Sequence, residues 1–271
     1  MFVYAKGIVF DDKTSDEYGL IICEIDGHEP SDTSGGQIEF TTTSSPIQNR
    51  WHKTGNANYK EPLQFAFQVI KSTHESFDAY EYSAIQRWLV RKDGYKDFMI
   101  IKGDYDNIHF NVQMNIEPIE VGKEIIGITV TGITDSPFGY NQLITKTIDV
   151  NGLDTLSFVD MSDEIGYIYP DIEINVKSDC NIKITNTTEN RIFYINNCVA
   201  NEIINIDGKF LQISTTALSH NIYEDCNYTF PRIVNNFNKR KNVFKIEGNC
   251  TLKMQYRPIR KVGVYYGNTI F

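Results

Sequence analysis

Residues 78–92 read DAYEYSAIQRWLVRK, the one strongly helical pattern in a chain otherwise patterned as strands. Tyr80, Ala84 and Trp88 recur four apart with Ile85 and Leu89 beside them, so one face is apolar. Glu81, Gln86, Arg87, Arg91 and Lys92 take the other positions, with the basic residues in the last turn, where the helix dipole favours them. Gly94 is the expected stop. A lone amphipathic helix cannot bury its stripe by itself, so among strands it must cover an open end or face of a sheet.

The flanking segments supply that sheet. Leu63, Phe65, Phe67 and Val69 alternate with polar neighbours just before the helix, and FMIIK follows it. Ile108, Phe110, Val112 and Met114 alternate in the same way, as do Ile126, Ile128 and Val130. These two runs read as a long antiparallel pair joined by a loop over Glu117–Glu124, with one wet and one buried face. Nearer the N-terminus, KGIVF and EYGLIICEIDG read as strands and Gly36–Thr42 as a half-exposed one. Thr43–Tyr59 is loop by composition, with Trp51 either folded back onto the core or held out for a partner. Asp135-Ser-Pro-Phe-Gly breaks the pattern. The expected organisation is a first domain over residues 1–136, a linker or crossing strand over 137–150, and a second domain over 151–271.

The second half is again strands: Asp171–Val176, Cys180–Asn186, Phe193–Asn196, Glu202–Asp207, Lys209–Ser214, Val243–Glu247 and Thr251–Tyr256. Asp207-Gly208 reads as a two-residue hairpin turn. Short strands at this spacing, with no second helical pattern, predict a β-sandwich, so the chain is mainly β.

Charge is placed unevenly. The net charge of −9 lies wholly in residues 1–136, which hold 12 basic against 21 acidic side chains, while the remainder holds 14 of each. A nucleic-acid reader needs a basic face, so the charge argues against that class. No basic segment followed by an apolar run opens the chain, and no stretch approaches the roughly 20 apolar residues of a membrane span. Five cysteines without C-x-x-C spacing read as buried thiols of a protein made in a reducing cytoplasm.

No catalytic or metal-binding pattern is visible, and no cofactor is expected. The histidines (His28, His52, His74, His109, His220) show no zinc spacing, and His109 falls on the polar side of its strand, where a solvated ring is expected. There is no nucleophile elbow, phosphate loop or dinucleotide fingerprint. Asp160, Asp163 and Glu164 cluster in FVDMSDEIG, which reads as a solvated turn rather than an acid pair or calcium loop. Lys239-Arg240-Lys241 is too short for a nucleic-acid patch.

EYGLIICEIDG, AIQRWLVRKDGYKDFMII and GITVTGITDSPFGY, followed in order by GYIYPDIEI, NEIINIDG and NNFNKRKNVFKIEGNCTLKMQYRPIR, together resemble the distal tail protein family of siphophages. The resemblance spans nearly the whole chain, and its motifs are structural rather than chemical. It implies a non-enzymatic adaptor that forms a hexameric ring with copies of itself and joins the tail-tube protein to the tail-tip and receptor-binding proteins. DNA would pass through the ring without specific binding, and no membrane is involved. The implied place is the virion tail tip, after synthesis in the bacterial host cytoplasm. It further implies a first domain resembling a tail-tube β-barrel or sandwich with one helix, which builds the ring. The second domain would be a galectin-like or carbohydrate-binding-module-like β-sandwich. An acidic channel wall would repel DNA phosphates, so Glu117, Glu120 and Glu124 are channel-facing candidates. The competing reading is a carbohydrate-binding protein that uses the second domain for host adsorption. Tyr167, Tyr169, Tyr194 and Tyr223 could stack on a sugar, but both tryptophans lie in the first domain, so simple-sugar binding is not expected.

Overall fold

Phe65, Phe67 and Val69 are buried along one strand of the first of two units, and Leu63, just before that strand, is buried with them. The computed structural model describes residues 5–25, 32–45, 50–55, 58–101, 106–236 and 238–262, and the fold is mainly β. Its contacts divide the chain into residues 1–141 with 260–271, and residues 142–259.

In the first unit the main strands are β1 (Gly7–Phe10), β2 (Leu20–Cys23), β3 (Gln64–Lys71), β4 (Lys96–Ile101), β5 (His109–Val121) and β6 (Glu124–Thr134). They run in the order β1-β4-β5-β6-β3-β2, each neighbouring pair antiparallel. One face of the sheet collects Ile8, Phe10, Phe65, Phe67, Phe98, Phe110, Val112 and Val130 into a core that Val262 rejoins near the C-terminus. Aromatic rings dominate it, with Phe65 stacked on Phe98 at 5.2 Å between centroids. Gly132 lies opposite Phe65 in the register, and a Cβ there would meet the ring at 2.4 Å, so only glycine leaves it room.

The helix α1 (Ala79–Leu89) covers this core with Ile85, Trp88 and Leu89. Asp78 Oδ1 accepts from the amides of Tyr80 and Glu81, while Glu81 Oε2 accepts from the Asp78 amide, a complete capping box. Trp88 stacks on Tyr18 at 4.3 Å and donates its indole N–H to the Phe10 carbonyl at 2.9 Å, so its burial leaves no polar atom unmatched. Burying each of the three apolar side chains contributes on the order of 1.5–3 kcal/mol. Two expectations are corrected. Tyr80 is 87% exposed and belongs to the wet face. The helix ends at Leu89 because Val90 turns extended, well before Gly94. Arg91 therefore lies past the helix and bonds Asp11 and Asp93 instead of the last carbonyls. Arg91 and Lys96 hold the Asp93 carboxyl well below the usual carboxylate range.

The second unit is built on two sixteen-residue strands, β7 (Ile144–Val159) and β13 (Lys241–Tyr256), paired antiparallel along their whole length. Between them in sequence lie β8 (Asp171–Val176), β9 (Cys180–Asn186), β10 (Arg191–Cys198), β11 (Ile203–Asp207) and β12 (Gln212–Thr215). The free edge of β13 is shared: β8 pairs with residues 250–255 and β9 with residues 244–247. Gly248, at φ +142, falls between the two partners, where its backbone lets the strand change neighbours without ending. This replaces the expected break between Val243–Glu247 and Thr251–Tyr256. Isoleucines on alternate positions of β8, β9 and β11 meet Phe244, Ile246, Leu252 and Met254 of β13 in the core.

Residues 137–150 contain a short strand, Gly139–Tyr140, that pairs with β5, and then the first part of β7. The predicted hairpin turn at Asp207-Gly208 is instead a longer loop, since Asp207 pairs with Gln212. Gly208 is needed for a different reason: a Cβ there would lie 2.1 Å from the Tyr169 carbonyl oxygen. A second, four-residue helix, α2 (Ile222–Asp225), occurs where no helical pattern was visible.

Candidate assembly surfaces and a ligand cleft

Glu117, Glu120 and Glu124 do not lie on a loop. The β5–β6 ladder continues to the pair Val121↔Glu124, leaving only Gly122-Lys123 as the turn. Gly122 has φ +69 and Lys123 does not, the pattern of a type II′ hairpin. Pro118 and the register shift at Ile119/Glu120 disturb the alternation that marks the rest of β5, so the tip lost its strand signature in sequence. All three carboxylates are exposed, and none is ion-paired to a described residue. The Tyr82 phenol on α1 is pushed up by burial and then by the nearby charges of Glu117 and Glu120.

Residues 37–45, 50–55 and 58–61 form an arm. Ile38–Glu39 pairs with Asn58–Tyr59, and further out Thr42–Ser45 pairs with Arg50–Lys53. Trp51 sits opposite Ser44 in this outer ribbon, so it occupies a strand and not the expected loop. It is 72% exposed, and Phe40 is 64% exposed. At the root, Gly35 has φ +86 and a Cβ on it would overlap the Pro62 carbonyl, so the chain can leave the sheet here only through glycine.

In the second unit the polar side chains of β11 and β12 form two facing rungs, Asn205↔Ser214 and Asp207↔Gln212. With Tyr223 of α2 and Tyr228 they line a cleft of about 610 Å³. The segment that brings the tyrosines there is fastened from beneath. His220 Nδ1 lies 2.6 Å from Glu202 Oε1, and both side chains are essentially inaccessible. Glu202 also accepts from the Thr215 hydroxyl and from the Val199 amide. Asn197 donates to Asp225, and Asn227 links to the backbone of Ile192 and Tyr194. The His220–Glu202 pair resembles part of a catalytic relay, but Thr215 bonds the carboxylate rather than the imidazole, and neither partner reaches solvent. Its chemistry is that of a clamp. It escaped sequence reading because Glu202 and His220 are eighteen residues apart with no motif spacing.

The remaining candidates divide. His109 is not solvated: its Nδ1 lies 2.8 Å from Asp97 on the adjacent strand. His28 lies outside the described residues. Asp160 is fully buried rather than in a solvated turn, bonded to Ser162, and burial pushes its carboxyl up. Asp163 and Glu164 are half-buried beside it. Cys198 and Cys250 are buried thiols pushed up to about 12 and about 11, which makes them poor nucleophiles. Among the described residues no group of three or more His, Cys, Asp or Glu side chains could hold a metal ion.

Two family models match the chain in succession: the phage tail protein N-terminal domain over residues 3–136 and the phage tail C-terminal domain over residues 138–256. No curated protein matches it. Among solved structures it is similar to the SPP1 Dit protein, a paradigm of the hub adsorption apparatus in phages infecting Gram-positive hosts. That likeness has 9% identity, covers 93% of this chain and 98% of the other, and has a TM-score of 0.62. A chain of the phage P2 baseplate, activated with Ca, is similar at 10% identity over 96% of this chain and 99% of that one, with a TM-score of 0.51. The phage p2 baseplate activated with Sr gives 9% identity, 92% and 97% coverage, and 0.52. At such identities the likeness speaks for the fold, while the family matches speak for membership. The chain belongs to the phage tail protein family, has the fold of siphophage distal tail proteins, and is a structural component of the tail.

Proposed function

We propose that six copies of this chain close into a ring at the tail tip, joining the tail tube to the tip and receptor-binding apparatus and letting DNA pass. The observation that carries this reading is the arm. A unit with a complete core of its own extends two ribbons, with Trp51 on the outer one and Phe40 between the two, where nothing among the described residues covers either ring. An apolar tip held away from its own core suits a pocket on a neighbouring copy. A contact between unlike surfaces, repeated by rotation, closes into a ring. Residues 1–136 carry most of the buried interface in this arrangement. The acidic hairpin tip suits a channel wall, because unpaired carboxylates repel phosphates and release no counterions to them.

Electron microscopy of the assembled particle tests the reading. The expected result is six subunits around a channel with Glu117, Glu120 and Glu124 on its wall. A neutral or basic wall contradicts the channel role, and the absence of a closed ring contradicts the whole.

A further inference from the structure

The second unit carries a feature that ring-building does not require. The four polar side chains on the rungs Asn205↔Ser214 and Asp207↔Gln212 lie on two hydrogen-bonded strands and line one cleft with two tyrosines, 61% and 52% exposed. Exposed aromatic rings are common, but these are held in place. Tyr228 adopts φ +52, a region an aromatic residue enters only under constraint, and its hydroxyl donates to the Tyr223 carbonyl at 2.8 Å. Leu211, which also lines the cleft, is left-handed as well at φ +53. Beneath α2, the closed His220–Glu202 pair and the bonds of Asp225 and Asn227 fix the backbone that presents both rings. Strain at two positions, with a buried polar clamp below, indicates a preformed site rather than a loose loop.

We propose that this cleft binds a neutral saccharide. A pyranose has apolar faces that stack on phenol rings and hydroxyls that both donate and accept. The lining matches both demands: two amides and a hydroxyl do both, and Asp207 accepts. No cationic side chain lines the cleft, so phosphorylated or carboxylated ligands gain no counter-charge there. Its polar floor suits a purely apolar ligand poorly. Stacking comes from two tyrosines five residues apart in sequence, which is why the absence of tryptophan from this half of the chain misleads.

The test uses the full chain, with maltotriose, chitotriose, lactose and mannotriose as probes in saturation-transfer NMR and titration calorimetry. At least one probe is expected to bind. Tyr223→Ala should weaken that binding about tenfold, the loss of one stacking platform. Gln212→Ala, on a strand that keeps its ladder, should weaken it by a smaller factor. Tyr80→Ala, an exposed tyrosine of the other unit, should leave it unchanged. Absence of binding to all four probes overturns the proposal, as does binding that the Tyr223 and Gln212 variants leave intact. Loss of association with another tail protein in the Tyr223 variant, without any saccharide binding, would reassign the cleft to a protein partner and also overturn it. Ring assembly is not part of the readout, so failure here leaves the adaptor role standing.

Discussion

The arm of residues 37–45, 50–55 and 58–61 and the loop of residues 217–230 both expose aromatic rings, Phe40 and Trp51 in the first, Tyr223 and Tyr228 in the second. Their support differs. The outer ribbon of the arm, Thr42–Ser45 with Arg50–Lys53, is a two-stranded ladder, which is marginal by itself in water. The loop is tied through His220, Asp225 and Asn227 into the body of the second unit. A ribbon whose rings lack neighbours gains order when a large partner surface arrives, because that surface can repay the entropy of fixing it. A small ligand offers too little contact to repay such a cost, so a site for one has to be rigid beforehand. The contrast suits the assembly role proposed for the arm and the recognition role proposed for the loop.

The sharpest way to break the contrast is to cut the clamp. Glu202→Ala leaves the buried His220 ring and the partly buried Thr215 hydroxyl without their shared partner. It should destabilise the second unit by roughly 1–3 kcal/mol, the usual range for leaving a buried hydrogen-bonding group unsatisfied. Hydrogen exchange should show residues 217–230 losing protection, and any saccharide binding should fall with it. If the loop stays protected, the rigidity has another source.

A smaller effect separates the units by pH. Arg91 and Lys96 depress Asp93 in the first unit, whereas burial raises Asp160 in the second. The stability that Asp93 contributes is therefore present above its ordinary value of 3.8 and is lost as pH falls through its depressed folded value. For Asp160 the sign reverses: its favourable contribution is complete below 3.8 and is lost as pH rises through its raised folded value. Asp160→Asn should flatten the acid-range slope of the second unit's unfolding, followed by denaturant melts at stepped pH, and leave the first unit's slope in place. An unchanged slope would show that the Asp160 carboxyl does not titrate differently in the folded state.

The strands of the first unit were legible wherever one face is dry. Phe65, Phe67, Phe110 and Val112 alternate in sequence because they alternate in burial. The helix was legible for the same reason, apart from Tyr80, whose spacing matches the stripe although its ring faces water. The hairpin tip was not, since its residues beyond Glu117 run past the core and keep no burial pattern. Continuity of β13 through Gly248-Asn249 was hidden as well, because two residues that usually mark a turn serve here to pass the strand from one neighbour to another. The cleft lay furthest from reach. Its polar rungs look like ordinary exposed strand positions, and its tyrosines meet them only after Glu202 and His220 have closed the loop.

The most direct test of the adaptor account is the mass of the full chain in solution, by size-exclusion chromatography with light scattering over a range of concentrations, alone and with the tail-tube protein. The account predicts a species of six times the 31.1 kDa of one chain. It also predicts that Trp51→Ala, which changes monomer stability by no more than about 0.5 kcal/mol as an exposed position should, shifts that species toward the single chain. A protein that remains monomeric at high concentration and in the presence of the tube protein would contradict it, and so would a hexamer indifferent to Trp51.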